Sequence, residues 1–535
     1  HRKKLIMNAL RFASNNSFQR SVALISVVVA LLLNVQQFNR LQLDKSIAGW
    51  QIDAIPVYLS SVYFGLPADY TLRTGLSEEF YSVLSGRSPE AVDRAIAETK
   101  VAPALKSRNA PPKVLGNDDK GVVDYVRLAF ALFGESGASF LKLYLAFLAL
   151  TSILYCSAYW SRPSLVALLT CFLLAHASVL PTVAANPQLV NVYAPRFLPV
   201  LGLISFCHLV IFVSLHDLCI RPKWLFAACQ LVCLLALLHL RSTVLSQILA
   251  LAGIAGLLAI YACFRKEWTQ GLVRFACVAV VLSLPVIQNA ALKHQMSALY
   301  SVPPNIPKRV MWHNILSGFS LSPSLYGEYG FRIDDVSTIA AAGKWLVDHG
   351  RWQEWEEMGG YTLGFSKISW TPYDRACRDV VLSLIVKYPF AMVQLVSLDK
   401  PLAFFRETAW LLNPDRPYPH QYLLHYSHAA QMPEMQTKLT EHSFAIFTMA
   451  AWLWVIGGGV ALAASVWTER FVLLAAGIAT GLTSWVPALV GYPIAHSMGE
   501  TLVGSLAILY AVCLVLIGFV WKALTSKREK HERQD

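Results

Sequence analysis

The residues with the clearest chemical potential are Asp118 and Asp119, which lie in the glycine-flanked sequence 116–121. An apolar segment over 122–133 follows and predicts a helix lying on the membrane surface. A carboxylate just before such a helix reaches the bilayer interface, where it could deprotonate an acceptor hydroxyl as a general base. The pair could instead coordinate a divalent cation, Mg2+ or Mn2+, and no other cofactor is expected. The structural alternative is that Asn117 and Asp118 only cap the following helix.

Cationic side chains that suit a phosphate group occur in two other segments. Lys308 and Arg309 follow a proline-rich stretch, and His313 comes four residues after Arg309. Arg241 lies in a short turn between two apolar runs. Lys and Arg bind phosphate through charge-assisted hydrogen bonds. The alternatives are that Lys308 and Arg309 anchor the loop to anionic headgroups and that Arg241 snorkels from a helix end.

Membrane helices are the elements that must position these side chains. Of the 535 residues, 55% are apolar and only 15% are charged, whereas soluble domains carry about 25% charged residues. The apolar residues form runs long enough to cross a bilayer, which takes about 20 residues per helix. Ten such runs are predicted as spans, at 21–38, 138–160, 163–182, 197–218, 223–240, 243–263, 271–290, 442–465, 470–490 and 501–522.

The net charge of +12 is a topology signal and not a nucleic-acid signal. Basic residues occur at both termini and in alternate short loops, as the positive-inside rule requires of cytoplasmic segments. Both termini are therefore predicted in the cytoplasm, and the number of spans is even. The loop residues on that side are Arg162, Arg221, Lys223, Arg265, Lys266 and Arg470.

The predicted fold is an all-α polytopic membrane protein of a bacterial inner (plasma) membrane. It has about ten transmembrane helices and two large periplasmic loops that contain amphipathic surface helices. Residues 378–398 are interrupted by Lys387 and Pro389 and are assigned to such a surface helix. The predicted units are 1–38 (cytoplasmic N-terminus and first span), 39–137 (first periplasmic loop with the acidic motif), 138–290 (spans two to seven), 291–441 (large periplasmic loop), 442–522 (spans eight to ten) and 523–535 (basic cytoplasmic tail).

Several function classes are disfavoured by what the sequence lacks. It has no P-loop and no GxGxxG after a strand, so an ATP-driven pump is not expected. It has no CxxC and no paired Cys/His spacing for zinc. No matched pair of broken helices suggests a secondary transporter.

The layout resembles integral-membrane glycosyltransferases of the GT-C type, which use polyprenyl-phosphate sugars. In the subfamily of protein O-mannosyltransferases and aminoarabinose transferases, an acidic pair precedes a surface helix in the first exported loop. The sequence Asp118-Asp119-Lys120-Gly121 looks like that pair. Two segments of the second loop, 311–335 and 373–401, look like stretches found in bacterial members of this superfamily.

The resemblance departs from the family pattern at the acidic motif. The second acid is Asp and not Glu, and the motif lies about eighty residues after the first span. Asp44 and Asp53, which are nearer that span, are therefore reserve candidates for the base.

The resemblance implies transfer of a sugar from a polyprenyl-phosphate donor to a lipid, glycan or protein acceptor on the periplasmic face. Asp118 or Asp119 would be the base, membrane lipids would surround the donor chain, and no nucleic acid is expected. Donor phosphate would be bound by Lys308, Arg309, His313 and Arg241. Contacts to the acceptor or sugar are expected from Tyr329, Asp334, Asp335, His496 and Glu500.

Two other functions remain open at this point. A periplasmic glycan polymerase or ligase with a diphosphate-linked donor would rely on Arg and His more than on an Asp base. A non-catalytic scaffold subunit would use its exported loops to dock a partner, with Trp345, Trp352 and Trp355 as interface anchors.

Overall fold

A computed structural model of the chain is almost entirely helical over the residues that it describes. The strands within them are a two-residue antiparallel pair, β1 (Leu72–Arg73) and β2 (Lys113–Val114). The described residues are 16–40, 72–73, 113–114, 121–134, 138–184, 198–215, 221–300, 311–322, 325, 335–360, 368–412, 434–491 and 498–531.

The helices fall into long apolar ones and shorter ones that belong to the connecting segments. In chain order they are α1 (Asn16–Arg40), α2 (Gly121–Phe133), α3 (Ala138–Tyr159), α4 (Pro163–Ala184), α5 (Pro199–Ser214), α6 (Arg221–Leu240), α7 (Leu245–Phe264), α8 (Trp268–Tyr300), α9 (Met311–Ser317), α10 (Asp335–Asp348), α11 (Trp352–Met358), α12 (Trp370–Lys387), α13 (Pro389–Gln394), α14 (Lys400–Leu412), α15 (Glu434–Val490) and α16 (Met498–His531).

The chain is an all-α polytopic membrane protein. Among the described residues, eight helices are long and apolar enough to cross a membrane, and they lie in α1, α3, α4, α6, α7, α8, α15 and α16. Helix α5 is shorter, at 16 residues, and all but its last residue are buried. The helix positions agree with the apolar runs of the sequence because a run of about 20 apolar residues has to satisfy its own backbone hydrogen bonds in lipid.

The helices of this bundle share one end that is rich in basic residues. Helices α1 and α4 run in the same direction, because the Asn34 side chain donates to the Leu173 carbonyl and Gln37 donates to Ala177. At their starting end, Arg162 pairs with Glu469. We call this the basic end and the opposite one the loop end, where α2 packs on the end of α6 and where α15 ends. Basic residues at or beside the basic end are Arg20, Arg162, Arg265, Lys266 and Arg470.

Helix α15 cannot be straight, although its backbone is helical throughout its 57 residues. Trp452 packs on Tyr510 with ring centroids 5.1 Å apart, and a Cβ on Gly477 would lie 3.1 Å from that of Ala511. The two positions on α15 are 25 residues apart, about 37 Å along a straight helix, whereas Tyr510 and Ala511 are neighbours. The helix therefore doubles back, and its contacts with α16 put the turn close to Arg470.

Helices α9 to α12 form a second hydrophobic core, which we call the loop unit. Leu346, Cys377 and Leu384 are among the residues buried in it. The segment that carries Trp345, Trp352 and Trp355 forms two helices, α10 and α11, separated at Gly350, whose φ of +69° favours glycine.

The prediction of one uninterrupted surface helix over 378–398 was wrong, because the segment is broken into two directions. Helix α12 ends at Lys387, and the next helical segment leaves it at 106°. The break falls at Tyr388, which precedes Pro389 and has φ −130° and ψ 57°. The clash between a proline ring and the residue before it disfavours helix at that position.

Candidate functional site

Three of the predicted site residues have described side chains: Arg241, His313 and Glu500. Asp335 begins α10, but its side chain is not among those described. The remaining predicted residues lie outside the described residues, namely Asp44, Asp53, Asp118, Asp119, Lys308, Arg309, Tyr329, Asp334 and His496.

Arg241 lies at the loop end, in the turn that joins α6 to a 3₁₀ turn over Ser242–Val244. Its backbone N–H donates to Leu237, and its side chain is buried with 6% of the residue exposed. A buried guanidinium at the edge of a membrane bundle is costly unless charge or hydrogen bonds compensate it. Arg241 therefore depends on compensating contacts within the loop end.

Glu500 is joined to α7, the helix that follows the Arg241 turn. The Gln247 side-chain amide donates to the Glu500 carboxylate at 2.8 Å and to the Pro199 carbonyl at 3.0 Å. Gln247 lies six residues after Arg241, and Glu500 is almost completely buried. A side chain at Gly202 would overlap the Gln247 amide oxygen. Three segments distant in sequence thus meet at the loop end.

Helix α2 brings the first loop to the same place. The Asp124 carboxylate lies 2.7 Å from Nε2 of His239, in the last turn of α6. A Cβ at Gly121 would overlap the carbonyl oxygen of His239, so only glycine allows this close approach. Gly121, two residues after Asp119, is therefore held against His239, which precedes Arg241 by two residues.

His313 is part of the core of the loop unit. Its Nδ1 lies 2.5 Å from the hydroxyl of Tyr373, and 5% of the residue is exposed. The backbone N–H of Trp312 donates to the Asp374 carboxylate, which caps the start of α9. Burial raises the pKa of Asp374 above its ordinary value, although N–H groups of α9 oppose the shift. His313 therefore connects α9 to α12.

Lys400 joins the loop unit to the bundle. Its ammonium donates to the carbonyls of Leu489 at 2.7 Å and Val490 at 3.1 Å, the last residues of α15. A cation suits this position because unpaired carbonyls and the helix dipole make a C-terminus negative. A Cβ at Gly318 would lie 3.0 Å from that ammonium and would overlap the Gly491 carbonyl. The segment that follows α9 thus packs directly on the end of α15.

Lys400 and Gln247 are not among the residues that the sequence pattern indicated as site residues. Lys400 lies within the segment 373–401, whose resemblance to the superfamily was a sequence feature that could have pointed to it. Gln247 is an amide in an apolar run, and its importance depends on Glu500, 253 residues away. Contacts at that separation have no local sequence pattern.

A buried polar chain also crosses the bundle. The Asn34 amide nitrogen donates to two carbonyls, so its oxygen is an acceptor and Nδ1 of His176 carries the proton. Nε2 of His176 then accepts from the Tyr144 hydroxyl at 2.7 Å. Each of these groups has a partner, and the chain connects α1, α3 and α4. It is a structural connection and not a second site.

The loop end therefore collects a buried guanidinium, a buried carboxylate and a His–Asp pair. Within the described part of the chain, no group of three or more His, Cys, Asp or Glu side chains could hold a metal ion. The described side chains thus place a cation, Arg241, at the same end of the bundle as the Glu500 carboxylate, which accepts from Gln247.

Comparison with known proteins assigns no family. No family model, curated protein or solved structure matches the chain.

Proposed function

We propose that the protein is a GT-C-type glycosyltransferase that moves a sugar from a polyprenyl-phosphate donor to a lipid, glycan or protein acceptor. The observation that carries the proposal is the docking of Gly121 and Asp124 on the end of α6. This contact holds the helix that follows the acidic motif against His239 at the end of α6, two residues before the buried Arg241. An acceptor base and a phosphate-binding cation are the two groups that such a transfer requires.

The proposed topology has ten spans in a bacterial inner membrane. The eight long apolar helices give ten crossings when the two arms of α15 are counted separately and α5 is included. The basic end would face the cytoplasm together with both termini, and the loop end would face the periplasm. Burial of α5 among the other helices is compatible with a short span.

In the proposed reaction, the acceptor oxygen attacks the anomeric carbon while the bond from that carbon to the donor phosphate breaks. Asp119 or Asp118 takes the acceptor proton, or coordinates a divalent cation that activates the hydroxyl. The lipid phosphate leaves with one more negative charge, and Arg241 with Lys308 and Arg309 would neutralise it. Fixed charges in a water-poor site are usually the largest catalytic contribution. Glu500 would contact the sugar or acceptor.

The test is transfer from a synthetic lipid-phosphate sugar by Asp118→Asn and Asp119→Asn variants in lipid nanodiscs. We expect one of them to lose about 10²–10⁴-fold in rate, the usual contribution of a general base. Asp348→Asn is the matched control, because Asp348 is exposed in the loop unit. Undiminished transfer in both variants would exclude these two carboxylates from the mechanism.

A polymerase or ligase that uses a diphosphate-linked donor is the second candidate, and the burial of Arg241 favours it. Such an enzyme would retain activity in the Asp118/Asp119 double Asn variant and lose it in Arg241→Gln.

The scaffold alternative needs exposed aromatic anchors. Trp345 is buried in the loop unit and does not qualify, whereas Trp352 is half exposed. A stoichiometric partner in the purified protein, with no transfer from either donor, would indicate a scaffold.

A further inference from the structure

The segment after the bend at Tyr388 exposes an unusually apolar surface. Phe390 is 89% exposed and Val393 is 65% exposed. We call residues 389–406 the elbow; it comprises α13, a π-helical turn over Leu395–Asp399 and the start of α14. The other large apolar residues that it exposes are Val396, Leu398, Leu402 and Phe405.

The elbow runs along α15 from the loop end toward the basic end. Lys400 contacts the carbonyls of Leu489 and Val490, and four residues later the ring of Phe404 packs on Trp485 at 4.8 Å. Four residues of helix advance about 6 Å. The contact on α15 moves by a similar amount, from its end back into its apolar span. Helix α14 therefore runs beside a membrane helix, from the loop end toward the basic end.

The elbow does not cross to the other side. The first arm of α15 enters the bundle from the loop end, because it runs parallel to α16, which starts there at Met498, over Trp452 to Trp467. The chain thus enters the bundle from the loop end twice in succession, first with α14 and then with α15. A segment that crossed the membrane in α14 would have to enter next from the basic end. Arg406 is exposed at the inner end of the elbow. Its guanidinium has to reach the headgroup level by snorkelling, which restricts the insertion to one leaflet.

We infer that the elbow is a re-entrant insertion whose inner part, from Lys400 to Arg406, places the exposed side chains of Leu402 and Phe405 against the acyl chains of the loop-side leaflet. Its surface is continuous with that of α15, where Leu482 and Val490 are exposed on a helix that spans the membrane. Acyl chains cover such a span. The same chains therefore cover Phe405, whose ring packs on Trp485 between these two residues.

Two contacts fix the position of the elbow, one made by Lys400 and one made by the π turn before it. The ammonium fixes the start of α14 to the end of α15, and Leu395 of the π turn is buried in the core of the loop unit. A π turn widens a helix locally and is frequent where a helix changes direction. Asp399, in the same turn, is half-buried and accepts from Gln394 at 3.5 Å. The loop unit is thus anchored to the bilayer as well as to the bundle.

The test places the photoreactive amino acid p-benzoylphenylalanine at Phe405, and separately at Leu402, in the full chain. The protein is irradiated in nanodiscs of phosphatidylethanolamine and phosphatidylglycerol and analysed by mass spectrometry. Trp352 is the matched control, because it is an exposed aromatic residue of the loop unit away from the elbow. Lipid adducts should form severalfold more at Phe405 and Leu402 than at Trp352.

Two results would overturn the inference. Cross-links from Phe405 to a second copy of the chain, or to another protein, would show that protein covers this surface. Lipid adducts no more abundant at Phe405 than at Trp352 would show that the inner part of the elbow faces water. Because Leu402 and Phe405 are both exposed, the replacements should leave the fold intact, and an unchanged thermal unfolding profile checks this.

Discussion

The bundle and the loop unit bury different kinds of side chain. In the loop unit, apolar residues such as Leu346 are buried, while Arg351 lies near the surface and pairs with Glu354 and Asp379. In the bundle, apolar residues occur on both sides of a helix, and Leu257 of α7 is 70% exposed. Apolar character therefore indicates the buried face only where the surroundings are water. In lipid, close packing and polar contacts decide which faces meet.

The largest expected effect comes from the core of the loop unit. Leu384 is buried there, and Leu384→Ala should cost about 2–5 kcal/mol because it removes apolar contacts and leaves a cavity. Hydrogen–deuterium exchange should accelerate in α10 to α12 and stay unchanged in α4. Leu382→Ala is the matched control, since Leu382 lies on the same helix and is about half exposed. Equal acceleration in α4 would show that the two regions unfold as one unit.

A smaller effect is expected where α15 and α16 approach closely. A Cβ at Gly481 would overlap Ile508 and would lie 2.9 Å from the backbone oxygen of Gly504. Gly481→Ala should therefore separate the helices at a cost of about 1–3 kcal/mol, and the thermal unfolding temperature in nanodiscs should fall. Gly457→Ala should cause no loss, because in the described part of the chain no atom outside the local backbone of its own helix lies within 4 Å of its Cβ position. Equal behaviour of the two variants would contradict close packing at Gly481.

The sequence predicted the features that depend on local pattern. Apolar runs predicted the helices of the membrane bundle, and this part of the prediction is confirmed. The amphipathic stretch 122–133 predicted a helix, which is found at Gly121–Phe133. The contacts of Lys400 with α15 and of Gln247 with Glu500 were not predictable. They depend on which helix faces meet, and in an apolar bundle many faces look alike.

The identity of the catalytic residues stays a prediction for a related reason. Asp118 and Asp119 were singled out by their position between glycines, and they lie outside the described residues. Their neighbour Gly121 has a role that the sequence did not reveal, because its need for close approach to His239 depends on α6. A glycine next to a catalytic motif can be required for docking alone.

The smallest expected effect tests the polar chain inside the bundle. Tyr144→Phe removes the hydroxyl that donates to Nε2 of His176 and leaves that nitrogen without its described partner. An interhelical hydrogen bond in a membrane protein contributes about 1 kcal/mol, so the unfolding free energy should fall by about that amount. Unfolding in a mixed-micelle titration would measure it, with Tyr261→Phe as the control because Tyr261 is 61% exposed. If both variants unfold like the parent chain, the connection between α3 and α4 rests on packing alone and the polar chain adds only specificity.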